Sequence, residues 1–377
     1  MTVPGPRVAF DVTPLLTFRT GIGNSVQETW AALNGLESGP RLIPYALGLR
    51  AKVTGKELPD GIRSVRVPTR LLLAMWSRAD HPRLRRPFRG ADVIHATNYV
   101  IAPSRIPGLA TINDIGFVLD PSTADSVVGT FPALLRRALA RGVHVHVTTN
   151  QVAREVDEHF GPGLISSGRI TVIPFGVPPI PPPGPLPDSL AAQVDVPYVL
   201  TVGRHEVRKN LPRLVLAFGE VAQEDPDLCL IVAGPEGRGT AALEAAIADL
   251  PSAPRSRVRL VGPVSPPALS ALLAGASALA YPSLYEGFGF PPLEAMTVGV
   301  PVLVGSGGAV SEVAGSAAEA VDPLDVSALA AGLRRVVFDQ ARRTELIESG
   351  RKHAATYTWE RTAKGFAGLY ERLATSS

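Results

Sequence analysis

Glu286-Gly287-Phe288-Gly289-Phe290-Pro291-Pro292-Leu293-Glu294 is the stretch around which the rest of the chain is read. Two carboxylates bracket two glycines and two prolines. Leu279-Ala280-Tyr281-Pro282-Ser283, just ahead, reads as a strand ending in a turn, and Leu293-Glu294-Ala295-Met296 as the opening of a helix. Glycines let the backbone turn sharply and approach a ligand closely. Prolines fit the first turn of a helix, where their missing N–H groups cost little. The free N–H groups and dipole of that helix start favour a phosphate. Glu286 is then expected on the approach loop and Glu294 a turn or more inside the helix, a carboxylate suited to accept hydrogen bonds from sugar hydroxyls. A helix cap and a solvated face would explain two glutamates alone. They would not explain Gly287, Gly289, Pro291 and Pro292 together.

Working outward, the chain of 377 residues is long enough for two domains, and its 45% hydrophobic and 19% charged content is that of a folded globular protein. Strand–helix units recur through both halves and predict an α/β protein built from parallel sheets. Between Pro178 and Pro187 there are seven prolines, a stiff spacer that marks a domain boundary. Cys229, the single cysteine, lies in the apolar run Leu228–Val232 and reads as a buried, inert thiol. The first residues carry no basic-then-apolar leader and no window has the length of a membrane span, so a cytoplasmic protein is expected.

Charge is unevenly spread. Residues 1–178 carry +7 and the remainder −4. The modest total of +3 argues against a nucleic-acid binder. Within residues 62–89 stand eight arginines flanking Leu71-Leu72-Leu73-Ala74-Met75-Trp76. That segment reads either as a short helix with a solvated basic flank or as a surface for an anionic acceptor or the inner face of a membrane, with Trp76 suited to the interface.

The first half opens with the strand Arg7–Val12, and a glycine turn at Gly21-Ile22-Gly23 precedes a helix with Val26, Thr29, Trp30 and Leu33 on one face. This is a phosphate-type element, though it lacks the third glycine of a dinucleotide fingerprint. Asp92–Tyr99 and Ala110–Ile115 read as strands with exit loops carrying His95, Asn113 and Asp114. His144 and His146 alternate on a strand, where packing or hydrogen bonding is the ordinary role. In the second half, Pro197–Gly203 is a strand whose exit loop carries Arg204, Arg208 and Lys209, a cationic cluster suited to a diphosphate. Val258–Val264 gives another strand with a turn at Gly262. Asp225-Pro226-Asp227 precedes a strand and reads as a turn. No His, Cys and carboxylate cluster has convincing metal spacing.

The run Ser283–Gly289, with Gly299-Val300-Pro301-Val302, Ser311-Glu312-Val313 and Val321-Asp322-Pro323, resembles the two-glutamate signature of family 4 of the glycosyltransferases, retaining enzymes of the GT-B fold. The resemblance covers nearly the whole chain. It implies two Rossmann-like domains facing an interdomain cleft: an acceptor-side domain at 1–178, a proline-rich linker at 179–196, a nucleotide-sugar domain at 197–355, and a C-terminal helix at 356–377 returning to the first domain. It implies transfer of a hexose to a hydroxyl of a glycan, lipid-linked or small-molecule acceptor, with no metal or other cofactor required. Glu286 then holds the donor sugar, Glu294 the ribose, and Arg208 and Lys209 the leaving diphosphate, while Arg204 follows the strand glycine where relatives vary. Gly21, Gly23, Gly262, Gly287, Phe288, Gly289 and Leu293 line the donor, and Asp114 positions the cleft. The resemblance also raises His95 above a core role. Asn113 stands where relatives commonly carry a histidine that contacts the donor sugar. The wording of the motifs favours GDP-mannose. UDP-glucose, UDP-N-acetylglucosamine or a deoxysugar nucleotide, and a catalytically weak nucleotide-binding scaffold, are the alternatives. A glucan phosphorylase is disfavoured, because no pyridoxal phosphate lysine motif is present.

Overall fold

The computed structural model describes residues 5–16, 21–48, 58–65, 67–121, 127–191 and 193–375. Thr20, ahead of the first glycine pair, and Arg66, within the arginine-rich segment, lie outside them. The chain divides into two compact units, Met1–Pro178 with Thr358–Ser377, and Pro179–Tyr357.

Among the described residues the first unit holds seven parallel strands: β1 (Arg7–Asp11), β2 (Arg41–Leu47), β3 (Arg63–Val65), β4 (Val93–Ala96), β5 (Gly108–Ile112), β6 (His144–Val147) and β7 (Ile170–Val172), in the order β3-β2-β1-β4-β5-β6-β7. The second holds six: β8 (Tyr198–Val202), β9 (Cys229–Ala233), β10 (Val258–Gly262), β11 (Ala278–Tyr281), β12 (Val302–Gly305) and β13 (Glu319–Val321), in the order β10-β9-β8-β11-β12-β13. Both are doubly wound Rossmann-like sheets. Order reverses between β1 and β4 in one and between β8 and β11 in the other, and ligands of such sheets bind beyond the carboxyl ends of the strands at these switch points. The central strands are buried and mostly apolar because helices cover both faces. Every residue of β8 and β9 is buried. Cys229 is buried in β9, as its apolar neighbours predict.

Helices form where an apolar stripe meets a start signal. Leu211–Val221 begins with a proline in its first turn and buries Leu214, Val215 and Phe218. Thr149 caps Asn150–Phe160 by accepting from the Val152 N–H, and Asp325 caps Val326–Val337. The glycines at 21 and 23 lie inside the first turn of the helix Gly21–Asn34 rather than in a loop before it. None of the described helices is long and apolar enough to cross a membrane.

The final helix, Trp359–Thr375, packs in the first unit on Gly21–Asn34 and buries Phe366, Leu369 and Tyr370. Trp359 donates its indole N–H to the Val177 carbonyl at 2.9 Å, and Thr362 donates to that of Pro174 at 2.8 Å. Tyr370 also ends a buried polar chain. Its hydroxyl donates to His95 Nδ1 (2.7 Å), and His95 Nε2 donates to Thr111 Oγ1 (2.8 Å). The Thr111 hydroxyl donates to His146 Nδ1 (2.9 Å), and His146 Nε2 donates to the Ile173 carbonyl (2.9 Å). A carbonyl can only accept, so His146 carries a proton on Nε2, and with both rings kept neutral by burial the remaining directions follow and each imidazole is the Nε2–H tautomer. Burial accordingly lowers His95 well below its ordinary value and His146 to about 4. His95 is therefore a satisfied core histidine, which corrects the role drawn for it from the resemblance.

Tyr370→Phe leaves His95 Nδ1 buried without a donor and should cost about 1–3 kcal/mol, read as a lower urea midpoint. The neutral histidines also set a pH dependence. The unfolded chain binds their protons near 6.5, whereas the folded His146 holds off to about 4. The stability they contribute is complete above 6.5 and falls as pH drops from there toward 4.

Candidate functional site

The site grows from the switch point of the second sheet. β8 and β11 are parallel neighbours, with Leu200 opposite Leu279, so their exit loops emerge side by side. The β8 loop carries a short 3₁₀ turn, Val207–Lys209, closed by Asn210 in the left-handed region at φ 58°. Asn210 Nδ2 donates to the carbonyls of Pro282 (3.2 Å) and Pro323 (2.6 Å), which ties the loops after β8, β11 and β13 together. The Leu284 N–H donates to the Arg208 carbonyl at 2.7 Å, and Arg208 Nη1 to that of Tyr285 at 3.0 Å.

Within that frame Glu286 sits between two cations. One carboxylate oxygen lies 2.5 Å from Arg208 Nη1 and the other 2.6 Å from Lys209 Nζ. The Lys209 ammonium also donates to the Tyr281 hydroxyl and lies 4.3 Å from the centre of its ring. Tyr281 donates in turn to Glu286 at 3.2 Å. The side chains of Lys209 and Glu286 are each only 10% exposed, whereas that of Arg208 is 43% exposed and reaches solvent. Burial pushes the Glu286 carboxyl up, but the charges and hydrogen bonds of Lys209 and Arg208 outweigh it and hold the group below its ordinary value. Burial lowers Lys209, opposed by Glu286. Gly203, at φ 132°, makes room for this lysine, since a Cβ there would come within 3.2 Å of its Cε.

After the Glu286 loop the chain enters the helix Phe290–Val298 through Gly289 at φ 94°, with prolines in the first turn. A Cβ on Gly289 would press within 2.9 Å of Val310, so backbone angle and packing both require glycine there. Glu294 lies one turn into the helix and is half-buried. Its carboxyl makes no hydrogen bond or ion pair within the described residues, and burial raises it to about 7. The two glutamates thus face opposite electrostatics.

A cavity of about 500 Å³ opens beyond β8, β9 and β10, lined by His205, Gly234, Glu236 and Gly262 among others. His205 is buried, and its Nε2 has no hydrogen-bond partner among the described residues. Arg204 turns toward this side, donating to the Glu236 carbonyl at 2.8 Å. Phe288 packs against Phe290 and Tyr357, and Leu293 is fully buried, so neither side chain is offered to a ligand. Gly287 lies between Glu286 and Phe288 on the same loop.

In the first unit, the loops after β4 and β5 bring Asn98 and Asn113 together, with Asn113 Nδ2 donating to Asn98 Oδ1 at 3.3 Å. Asp114 accepts from the Gly116 N–H at 2.9 Å, a local turn contact just ahead of the helix Gly116–Leu119. Gly21 and Gly23 belong to the helix that follows β1. The arginine-rich segment needs one correction: Trp76 is buried in the core and donates to the Pro82 carbonyl at 3.0 Å, so it is not an interface residue. Its helix, Thr69–Trp76, exposes Leu71 and Met75 instead. Among the described residues, no three His, Cys, Asp or Glu side chains converge as a metal site requires.

Sequence reasoning passed over Tyr281, Asn210 and His205 as site residues. Tyr281 reads as one more apolar strand residue, and only the adjacency of β8 and β11 places it under Lys209.

Two doubly wound parallel sheets, with a cation–carboxylate cluster at one switch point, define the GT-B class of α/β protein. Residues 186–353, all within the second unit, match the family described as Glycosyl transferases group 1, so that part of the chain is similar to group 1 glycosyl transferases. Among curated relatives it is 32% identical to O-antigen chain mannosyltransferase B of Escherichia coli over 47% of this chain and 46% of that protein. It is 34% identical to D-inositol 3-phosphate glycosyltransferase of Corynebacterium urealyticum over 46% of this chain and 42% of that protein. The chain thus spans less than half the length of these relatives. Its fold is that of sucrose-phosphate synthase from Thermosynechococcus elongatus (TM-score 0.73, 21% identity, 99% of this chain and all of that one). It is also that of Anabaena HepE (TM-score 0.68, 16% identity, 97% and 99%). HepE was solved with UDP and glucose, and the Escherichia coli trehalose-6-phosphate protein, of the same fold, with UDP-2-fluoro glucose. These uridine nucleotides overturn the preference for GDP-mannose read from the motif wording.

Proposed function

We propose that the protein is a retaining glycosyltransferase that moves a hexose from a UDP-sugar to a hydroxyl of a glycan, lipid-linked or small-molecule acceptor. The observation that carries this reading is Glu286 held between Arg208 and Lys209 at the β8–β11 switch point. An ionised carboxylate flanked by two cations is a poor general acid. It is a good fixed acceptor for donor-sugar hydroxyls and a rigid anchor for the cations. Arg208, with its exposed guanidinium, neutralises the diphosphate as it leaves, and Lys209 supplies charge from behind. These residues take the role a metal ion would otherwise fill, which supports metal-independent transfer. Glu294 accepts from the ribose hydroxyls, and His205 with the Gly262 backbone borders the cavity that receives the base. Acceptor recognition falls to the first unit, where Asn113 and Asp114 occupy strand-exit loops.

The test is a thermal-shift panel of UDP, GDP, TDP and ADP with their common sugar conjugates, with and without Mg²⁺. A ligand at about a hundred times its Kd adds about 2.7 kcal/mol to stability. UDP and a UDP-hexose are expected to raise the transition equally with and without Mg²⁺. A panel in which UDP compounds give no shift would overturn the donor assignment.

A further inference from the structure

The first unit contains a second concave site, remote from the strand-exit loops. A cavity of about 620 Å³ is ringed by Arg83, Arg85, Arg86, Arg89 and Arg105. No carboxylate lines it among the described residues. Guanidinium groups stay charged at every physiological pH. None of these five makes a side-chain hydrogen bond or ion pair within the described residues. Asp92, two residues from Gly90, is held by Arg7 through both carboxylate oxygens (3.0 and 2.7 Å) and offers them no counter-charge. Asp80 is likewise taken, by Arg137 and Arg141.

The cavity is built rather than incidental. Its floor is apolar, from Leu84, Phe88 and Ile106. Phe88 is 1% exposed and meets the Tyr45 ring edge-on at 5.0 Å, anchoring the loop in the core. Arg63 Nη1 clamps the same loop from below, donating to the carbonyls of Pro87 (3.3 Å) and Arg89 (2.7 Å). Five like charges on a convex face would be explained by solvation alone. Around a concavity with a fixed backbone they repel one another, and a multiply charged anion relieves that repulsion while receiving several charge-assisted hydrogen bonds.

Its position separates it from the transfer site. The segments 83–90 and 104–106 precede β4 and β5, so the cavity lies at the amino ends of these strands, whereas Asn98, Asn113 and Asp114 follow their carboxyl ends. A strand of this length spans about 13–17 Å. We infer that this cavity is a binding site for a phosphate-bearing anion, a diphosphate or phosphomonoester with an adjoining apolar or sugar moiety, distinct from the donor site in the second unit. The phosphate belongs either to a soluble ester or to a lipid headgroup. The inference stands independently of the proposed transfer activity.

The full chain is titrated with inorganic pyrophosphate by calorimetry at low salt, with hydrogen exchange followed in peptides covering 83–90 and 103–107. Pyrophosphate should protect both peptides in the wild type and in Arg208→Gln, which leaves this cavity intact. The exposed triple variant Arg85→Gln/Arg86→Gln/Arg89→Gln should keep the wild-type thermal transition and lose about a hundredfold in affinity for this site. Sedimentation with phosphatidylglycerol and phosphatidylcholine vesicles separates the sources. Retention on phosphatidylglycerol alone, lost in the triple variant and displaced by pyrophosphate, assigns a headgroup. Pyrophosphate binding without vesicle retention assigns a soluble ester. Equal affinity of wild type and triple variant, with no protection of either peptide, overturns the site.

Discussion

Glu286→Gln is expected to lower hexose transfer from a UDP-sugar by about 10²–10³-fold, the usual cost of removing one fixed charge partner at a reacting centre. The same change also costs stability, because Lys209 is nearly buried and its main counter-charge is this carboxylate. Breaking a buried pair from one side costs about 3–5 kcal/mol. Here the loss should fall near the lower end, since Lys209 keeps the Tyr281 oxygen and burial already favours its neutral form. The half-exposed Arg208 adds little, being screened by water. Activity and stability therefore have to be separated. Lys209→Met/Glu286→Gln removes both members of the buried pair and should recover most of the lost stability while transfer stays at or below the level of the single variant. A single variant that transfers within threefold of wild type while folded would remove Glu286 from the chemistry and leave it a structural ion pair. The pair also predicts an acid limb. Glu286 has a depressed folded value, so its contribution is complete above the ordinary 4.5 and is lost as pH falls through the lower folded value. Glu286→Gln should abolish that limb.

The physical form of each element decides how much of it could be read in the sequence. Strands such as Cys229–Ala233 are buried on both faces and show as unbroken apolar runs. Glu286 and Glu294 were visible because glycines and prolines crowd the loop between them. Arg208 and Lys209 were visible because they adjoin one another. Their union with Glu286 was not, since it spans 77 residues and exists only because β8 and β11 are neighbours in the sheet. The left-handed Asn210 that knots three loops leaves no local signature either. In the first unit the arginine run is plain, and of its two readings the one that hands Trp76 to an interface fails, because the core claims that residue. The cavity itself joins residues 83–90 to 104–106, a contact dictated by the pairing of β4 with β5. His95 shows the opposite error. A polar residue in a strand looked like a ligand group, and its partners, Thr111 and Tyr370, lie far away along the chain.

Glu294 carries the second large effect. Its half-buried carboxyl has no donor among the described residues and titrates near 7, about the pH at which the protein would work. The sign for stability follows from its raised value. The folded state keeps the proton up to about 7 while the unfolded chain releases it near 4.5, so the stability this group contributes is greatest below 4.5 and is lost as pH rises toward 7. Ligand binding runs the other way. Only the ionised carboxylate accepts from two ribose hydroxyls, and each such charged hydrogen bond is worth about 1.5–3 kcal/mol. UDP-glucose, whose diphosphate has no titrating group in this range, is the probe. Its affinity for the wild type should rise about tenfold from pH 6 to pH 8 and then level, since below the carboxyl value each pH unit is worth at most a factor of ten. Glu294→Gln mimics the protonated form. It should match the wild type near pH 5.5, bind about 10–100-fold more weakly at pH 8 and show no rise between them. A wild-type profile flat from pH 6 to 8, with the variant binding equally well at pH 8, would take the ribose away from Glu294. The raised value would then be a plain consequence of burying a carboxylate in the helix behind the donor loop. In the expected case the same burial gives nucleotide binding a dependence on pH that a solvated carboxylate, ionised throughout this range, could not supply.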